Sequence, residues 1–328
     1  MKITKGDQMA FWNYDLNKIV RLDHPLRKID EIISFKKIAL RFNELLTSVG
    51  RKGYGVEVGI KSLFLQFYYD LSDRELEERL RYDIAFRWFC GFKIDEETPD
   101  HSYYGRTRKA LQTERIGKIF RMINKKARDK KILRGVFTFV DATAIKTKET
   151  TWAERDKAIR EGEEALNNQN VEKYSADKDA RFGCNGKSKF WYGYKQHTSV
   201  DMGSGLIQKA AVTPANVSEG KGIKHICPTD SMIFGDKGYC GKRSQNTMRK
   251  RRCHSGVILK KNMRDKDRDK DRWLTKVRAP FEGVFSKKTK RARYRGLAKV
   301  QLQVFLESIV FNVRRLVVID SPPLWFGA

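Results

Sequence analysis

The chain has 328 residues, 40% of them hydrophobic, with 68 Lys and Arg against 40 Asp and Glu, a formal charge of +28 and a pI near 9.9. That length holds two domains, or one large core with an appended module, and the charge favours a polyanion as partner over a basic but DNA-indifferent role. The five cysteines (Cys90, Cys184, Cys227, Cys240, Cys253) are odd in number and scattered without a C-x-x-C pair, which argues against a disulfide framework and a structural zinc.

No run reaches the ~18 apolar residues of a membrane span, and the first residues lack a signal-peptide core, so a cytoplasmic protein is expected. Along the chain, apolar positions recur at helical spacing from Phe35 to Val49 and from Val56 to Tyr69. Ser72 and Glu75 form a capping-box pattern that predicts a helix starting at Asp73 and running to about Phe89, closed by Gly91. Pro99-Asp100-His101-Ser102 opens another helix, predicted to reach about Asp129 and rich in Arg and Lys, including Arg106 and Arg108. Several short helices ending in a basic one predict an all-α N-terminal domain over residues 1–130 with a helix-turn-helix-like DNA-binding character.

Val136 to Thr147 opens with a buried-strand run, Val136, Phe137, Phe139 and Val140, that delivers Asp141 at its end. Residues 148–188 form a charged excursion, with a helix predicted from about Thr151 to Asn167. Phe190 to Asp201 and Leu206 to Thr213 are strands joined by the hairpin turn Met202-Gly203-Ser204-Gly205. A short helix is expected before Ile226, and Met232 to Gly235 is a strand that ends in Asp236-Lys237-Gly238-Tyr239. A basic helix over Gly241 to Cys253, a fifth strand at Val257 to Leu259 and a charged surface loop at Arg264 to Arg272 follow. Arg278 to Phe285 reads as a helix start carrying Glu282, and Val300 to Leu316 as a final amphipathic helix before a tail over residues 321–328.

Three antiparallel strands, then strands alternating with helices, with acids at the ends of the first and fourth strands and on a late helix, follow the ribonuclease H-like plan. The predicted class is therefore α/β, a mixed sheet flanked by helices over residues 131–320. Each acid has a simpler reading: a turn cap for Asp141 with Thr143, a turn start for Asp236 with Gly238, an ion pair for Glu282 with Arg278.

Several motifs carry a family likeness. Val140-Asp141-Ala142-Thr143 is followed by Asp177-x-Asp179-Ala180-Arg181-Phe182-Gly183 and Tyr192-Gly193-Tyr194-Lys195-x-His197. Gly235-Asp236-Lys237-Gly238-Tyr239, Arg278-x-x-x-Glu282 and Arg293-Tyr294-x-Gly296 complete the series. Together they resemble bacterial insertion-sequence transposases of the IS4/IS5 superfamily, DDE type, and residues of about 40–115 resemble that family's N-terminal module.

The resemblance implies an enzyme that cleaves DNA at terminal inverted repeats and transfers the freed strand into target DNA. It implies Asp141, Asp236 and Glu282 as the catalytic and metal-holding acids, two Mg²⁺ or Mn²⁺ ions, double-stranded DNA as partner, and a homodimer in the DNA complex. Arg278, Lys237, Lys287, Lys288, Lys195, Arg106 and Arg108 are the candidate phosphate contacts. Thr275 and Thr289 depart from the family's usual Tyr and Lys at those positions. The alternatives carried with this reading are a catalytically weak copy acting as a DNA-binding repressor and a stand-alone ribonuclease H-like nuclease.

Overall fold

The computed structural model describes residues 15–45, 53–148, 151–186, 188–263, 266–286 and 290–320; the side chains of residues 43, 185 and 282–286 fall outside that description. The chain divides into two compact units, residues 1–119 with 309–328, and residues 120–308.

The first unit is helical: α1 (Leu16–Ile19), α2 (Pro25–Ile32), α3 (Phe35–Ala39), α4 (Gly55–Tyr68), α5 (Asp73–Tyr82), α6 (Ile84–Cys90) and the first part of α7 (His101–Asp129). Its core is aromatic, with Phe35 edge-on to Phe64 and to Phe89 at centroid separations of 5.5 and 5.4 Å. The Lys61 ammonium lies over the Phe35 and Phe89 rings and is neutralised by Asp30 and Glu57 at 3.0 and 3.2 Å.

The capping box forms as the sequence requires: Glu75 N–H donates to Ser72 Oγ, and Ser72 N–H to the Glu75 carboxylate at 2.7 Å. The helix expected to continue to Phe89 instead ends at Tyr82, because the Asp83 carboxylate accepts from Ala85 and Phe86 N–H and starts α6 anew. Gly91 closes α6 in the left-handed region at φ +83°. The helix expected from Phe35 to Val49 ends at Ala39 in a 3₁₀ segment, Leu40–Leu45, and its remaining residues lie outside the described set. Replacing Ser72 by Ala is expected to cost about 1 kcal/mol, read as a lower midpoint in denaturant.

The second unit is built on the sheet β1 (Phe137–Lys146), β2 (Arg181–Asn185), β3 (Lys189–Asp201), β4 (Ile207–Pro214), β5 (Met232–Gly235) and β6 (His254–Val257). β1 pairs antiparallel with β3, and β3 with both β2 and β4. On its other edge β1 pairs parallel with β5, and β5 with β6. The elements between these strands are α8 (Trp152–Arg160), α9 (Val171–Tyr174), α10 (Glu219–Ile226) and α11 (Lys242–Lys250), and α12 (Arg268–Ser286) and α13 (Leu297–Asp320) follow β6.

Antiparallel β3, itself paired with β2 and β4, on one side of β1 and two parallel strands on the other, reached through α10 and α11, make the sheet ribonuclease H-like. One face of its parallel half is closed by Val140, Ile223, Ile226, Ile233, Tyr239 and Met248. The other is covered by α12, whose Phe281 and Trp273 rings stand 6.1 and 6.3 Å from those of Phe139 and Phe234.

Four expectations are corrected. The helix predicted to reach Asn167 stops at Arg160, with Gly162 turning the chain at φ +91°. β2 was not foreseen; it is a short edge strand containing polar residues and glycine. The fifth strand begins three residues earlier than expected, at His254. Helix α12 begins at Arg268, so it takes in part of the charged stretch expected to be a loop, and Glu282 sits near the helix end rather than its start. Among the described residues no helix is long and apolar enough to cross a membrane.

Candidate active site

β1 and β5 carry the first two acids to the same end of the sheet. Their parallel register pairs Phe137 with Met232 and Phe139 with Phe234; Asp141 and Asp236 each lie two residues beyond the last of these pairs, and the charges of both act on Glu219. Both strands are apolar behind these residues: Phe139 and Val140 are wholly buried and Phe234 nearly so. Asp141, expected at the end of its strand, lies within β1, and Asp236 lies just past β5; both are half-buried and bounded on one side by the core, which raises the field they exert on their neighbours.

Asp236 is oriented by its own backbone. Its Oδ1 accepts from Gly238 N–H at 2.9 Å, capping the 3₁₀ turn Lys237–Tyr239. This is the turn-forming role that sequence reasoning set beside the catalytic one. The two are compatible, since a capped carboxylate keeps its other oxygen.

A third acid, not foreseen, enters from α10. Glu219 lies so close to Gly238 that a Cβ placed there would meet Glu219 Oε2 at 1.7 Å and Asp236 Oδ1 at 3.0 Å. A side chain at 238 would displace the Glu219 carboxylate, which lies over this glycine beside Asp236. Burial, then the charge of Asp236, raise the Glu219 carboxyl to about 7; Asp141 adds to the rise and Lys195 opposes it. Sequence reasoning missed Glu219 because a single Glu in a first helical turn reads as a helix-dipole partner. The hairpin register gave no warning that α10 descends onto the Asp236 loop.

Tyr239 is wholly buried, its hydroxyl without a hydrogen-bond partner among the described residues. Burial, with the charges of Asp141, Glu219 and Asp236, pushes its phenol far above the ordinary range, and Arg278 acts in the opposite direction. The Arg278 guanidinium lies 5.3 Å over the Phe139 ring. It stands on α12 one helical turn before Glu282, whose side chain is outside the described set.

The candidate phosphate contacts separate on inspection. Lys195, on β3, is close enough to Glu219 to lower its carboxyl, and its ammonium lies 5.8 Å over the Trp191 ring. Lys237 is exposed beside Asp236, and Arg106 is exposed on α7. Arg108 is corrected: both guanidinium nitrogens are taken by Asp73 at 2.6 and 2.8 Å, with Gln66 accepting a further bond, so it fastens α7 to α5 instead of facing a phosphate. Lys287 and Lys288 lie outside the described residues.

Two groups near the sheet are structural. Asp201 accepts from Gly135 N–H, Ser204 N–H and Ser204 Oγ at 2.8, 2.8 and 2.6 Å, fastening the β3–β4 hairpin. His197 is wholly buried and shares a 2.9 Å hydrogen bond with Thr213 Oγ1; burial, then Lys195 and His225, depress it to about 3, so it is neutral.

The donor set suits a hard divalent cation. The converging groups are carboxylates with no thiolate or imidazole among them, and Mg²⁺ keeps several waters while using one or two protein carboxylates. Among the described residues no three acidic, His or Cys side chains stand ready as a coordination cage. With Glu282 outside that set, the fit rests on ligand chemistry and on the Asp141–Asp236 register.

The sheet is ribonuclease H-like, with Asp141 on β1 and Asp236 directly after the neighbouring parallel strand β5. The chain belongs to the transposase DDE-domain family, whose model, described as "Transposase DDE domain", matches residues 133–313, more than half of the chain. A second family, "Transposase domain (DUF772)", matches residues 14–110. The protein is thus a DNA transposase of DDE type, and such domains work with divalent metal ions. Among solved structures it is similar to a piggyBac transposase synaptic complex with hairpin DNA, at 11% identity and a TM-score of 0.40, over 96% of this chain and 78% of that one. It is also similar to a pre-cleavage Mos1 transpososome at 7% identity and a TM-score of 0.17, over 80% of this chain and 97% of that one.

Proposed function

We propose that Asp141, Asp236 and Glu282 hold two divalent cations, Mg²⁺ or Mn²⁺, and that this site cuts DNA at the element's terminal inverted repeats and joins the freed 3′ ends to target DNA. The observation that carries the reading is the β1–β5 register beside α12: two aspartates on adjacent strands, under a helix that carries Arg278 and Glu282 one turn apart. When bound, paired cations activate the attacking oxygen and offset charge on the leaving one.

The chain's own groups do the rest. Phe139 and Phe281 close the apolar floor beneath the acids, which keeps the carboxylate charges effective. Arg278 is held over Phe139 with its Nε buried, and the outer end of its guanidinium is the proposed phosphate contact. Lys195 and Lys237 supply further positive charge at the same end of the sheet. The helical residues up to about 130, with Arg106 outward, read the repeat ends. Residues 131–320 perform the chemistry, and two copies act together because two ends must be held.

The test is strand cleavage of DNA carrying the sequence that flanks the reading frame, with Mg²⁺ or Mn²⁺. Cuts at the repeat ends that require the metal support the proposal. Binding without cutting favours a repressor, and cutting indifferent to the repeats favours a stand-alone nuclease. Binding is also expected to be strongly salt dependent. If six or more phosphates are neutralised, affinity falls on the order of 10³-fold or more between 50 and 200 mM salt, and a flat titration excludes a phosphate-dominated interface.

A further inference from the structure

Helix α11 carries charge of one sign only. From Gly241 to Arg252 the chain has six Lys and Arg and no Asp or Glu. The inner side of the helix is narrow: Ser244 and Met248, one turn apart, are buried, Met248 in the core beneath and Ser244 with its hydroxyl 3.5 Å from the Gly220 carbonyl of α10. Opposite them, Lys242, Arg243, Asn246, Arg249 and Lys250 recur at the i, i+1, i+4, i+7, i+8 spacing of one helix face, and all five are exposed.

Elsewhere the helices balance their cations. Arg79, Arg81, Lys118, Lys125 and Lys157 each pair with an acid one helical turn away. Lys242, Arg243, Arg249 and Lys250 make no ion pair among the described residues, whereas the adjoining Arg252 is held by Asp230 at 2.6 and 2.7 Å. Lys242 and Arg243 also stand in the first turn, where the helix dipole disfavours a cation, and the Gly241 N-cap brings no side chain to the first amides. This pattern costs the helix local stability and suits its outer face to an anion.

The place of α11 in the chain selects the anion. The helix starts three residues after the Lys237–Tyr239 turn that Asp236 caps, and α10 beside it adds exposed Lys221 and Lys224. From Lys242 to Arg249 it advances about 10 Å, the rise of about three phosphates along one strand of a duplex.

We infer that the outer face of α11 seats the backbone of double-stranded DNA without reading its sequence, and that the duplex it takes is the target into which strands are joined. Lys and Arg along a helix face meet phosphates, which fix position but carry no base code. The inference rests on the strand-joining reading of the site and adds a surface on the second unit, apart from the helical residues that read the repeat ends.

The test is binding of a duplex that lacks the repeats, measured against salt. The wild type is compared with a variant combining Lys242→Gln, Arg243→Gln, Arg249→Gln and Lys250→Gln. A control removes the same charge from the excursion through Arg155→Gln, Lys157→Gln, Arg160→Gln and Lys178→Gln. The slope of log affinity against log salt is expected to be shallower by about 2 to 4 in the α11 variant and close to wild type in the control, with melting temperatures unchanged. A wild-type slope in the α11 variant, an equal loss in both variants, or a loss confined to repeat-end DNA overturns the inference. An α11-dependent slope in a protein that joins no strands refutes the target assignment together with the strand-joining reading, and leaves the duplex seat standing.

A second measurement needs no substitution. Acetylation of lysines on the wild type, read by mass spectrometry with and without the same duplex, is expected to show Lys242 and Lys250 protected and Lys157 and Lys178 as reactive as before. Unchanged reactivity of Lys242 and Lys250 at saturating duplex overturns the proposal.

Discussion

Asp236→Asn is expected to fold as the wild type does and to lose strand cleavage by about 10³-fold or more, equivalent to roughly 4 kcal/mol of transition-state stabilisation. The reasons for the two halves of this result differ. The folded state uses Asp236 through one oxygen, Oδ1, which accepts the Gly238 amide at 2.9 Å and caps the turn before α11. Asparagine retains an oxygen at that position, so the cap persists. The chemistry uses the charge: a neutral amide is a poor ligand for a hard cation and no longer balances the ion's field during phosphodiester cleavage. Removing that charge also relieves Glu219, so the metal-free variant is expected to melt no lower than wild type. Strand-cleavage rates on repeat-end DNA, with thermal denaturation in EDTA, check both halves. Cleavage that survives the substitution places the reaction elsewhere. Lost cleavage with a collapsed melting temperature makes Asp236 a structural residue only.

What was legible in the sequence was whatever depends on local chemistry. The Ser72–Glu75 capping box, the Gly91 stop and the apolar strands behind Asp141 and Asp236 each follow from a few neighbouring residues, and each is present. The ribonuclease H-like plan followed from the order of strands and helices, because antiparallel partners joined by a tight hairpin and parallel strands joined by helices leave few arrangements for one sheet. The errors came where local signals competed. Asp83 looks like one more polar residue within a helix, yet its carboxylate restarts the chain as α6. The charged run before Trp273 has no core-forming pattern, and part of it becomes helical as the entry to α12, whose later rings pack on β1 and β5. Arg108 belongs to a basic series on α7, and only the fold shows that Asp73, 35 residues earlier, takes its guanidinium. Glu219 was out of reach for the same reason: its meeting with Asp236 depends on how closely glycines 222 and 238 let α10 approach, a long-range fact that no spacing records.

The same approach of α10 predicts how the metal-free protein responds to pH. His197 is buried and neutral, depressed to about 3 by desolvation, then by Lys195 and His225, whereas in the unfolded chain it takes a proton near 6.5. A group depressed on folding contributes stability that is present above about 6.5 and is lost as pH falls toward about 3. Glu219 works in the opposite direction. Raised to about 7 by burial, then by Asp236 and Asp141, it contributes stability that is present below about 4.5 and is lost as pH rises toward about 7. Between about pH 5 and 6.3 the unfolded state binds roughly 0.6 to 1 more proton at His197 and the folded state roughly 0.8 more at Glu219. The two slopes, each roughly 1 kcal/mol per pH unit, therefore nearly cancel. In EDTA the wild type is expected to show a shallow dependence across this window. Glu219→Gln unmasks His197, so its stability rises with pH; His197→Gln unmasks Glu219, so its stability falls with pH. Denaturant midpoints at pH 5.0, 5.6 and 6.2 for the three proteins decide the matter. Parallel curves would mean that neither group changes its proton affinity on folding, whereas slopes of opposite sign in the two variants would show that one helix, packed against His197 and carrying Glu219, sets the proton balance of both.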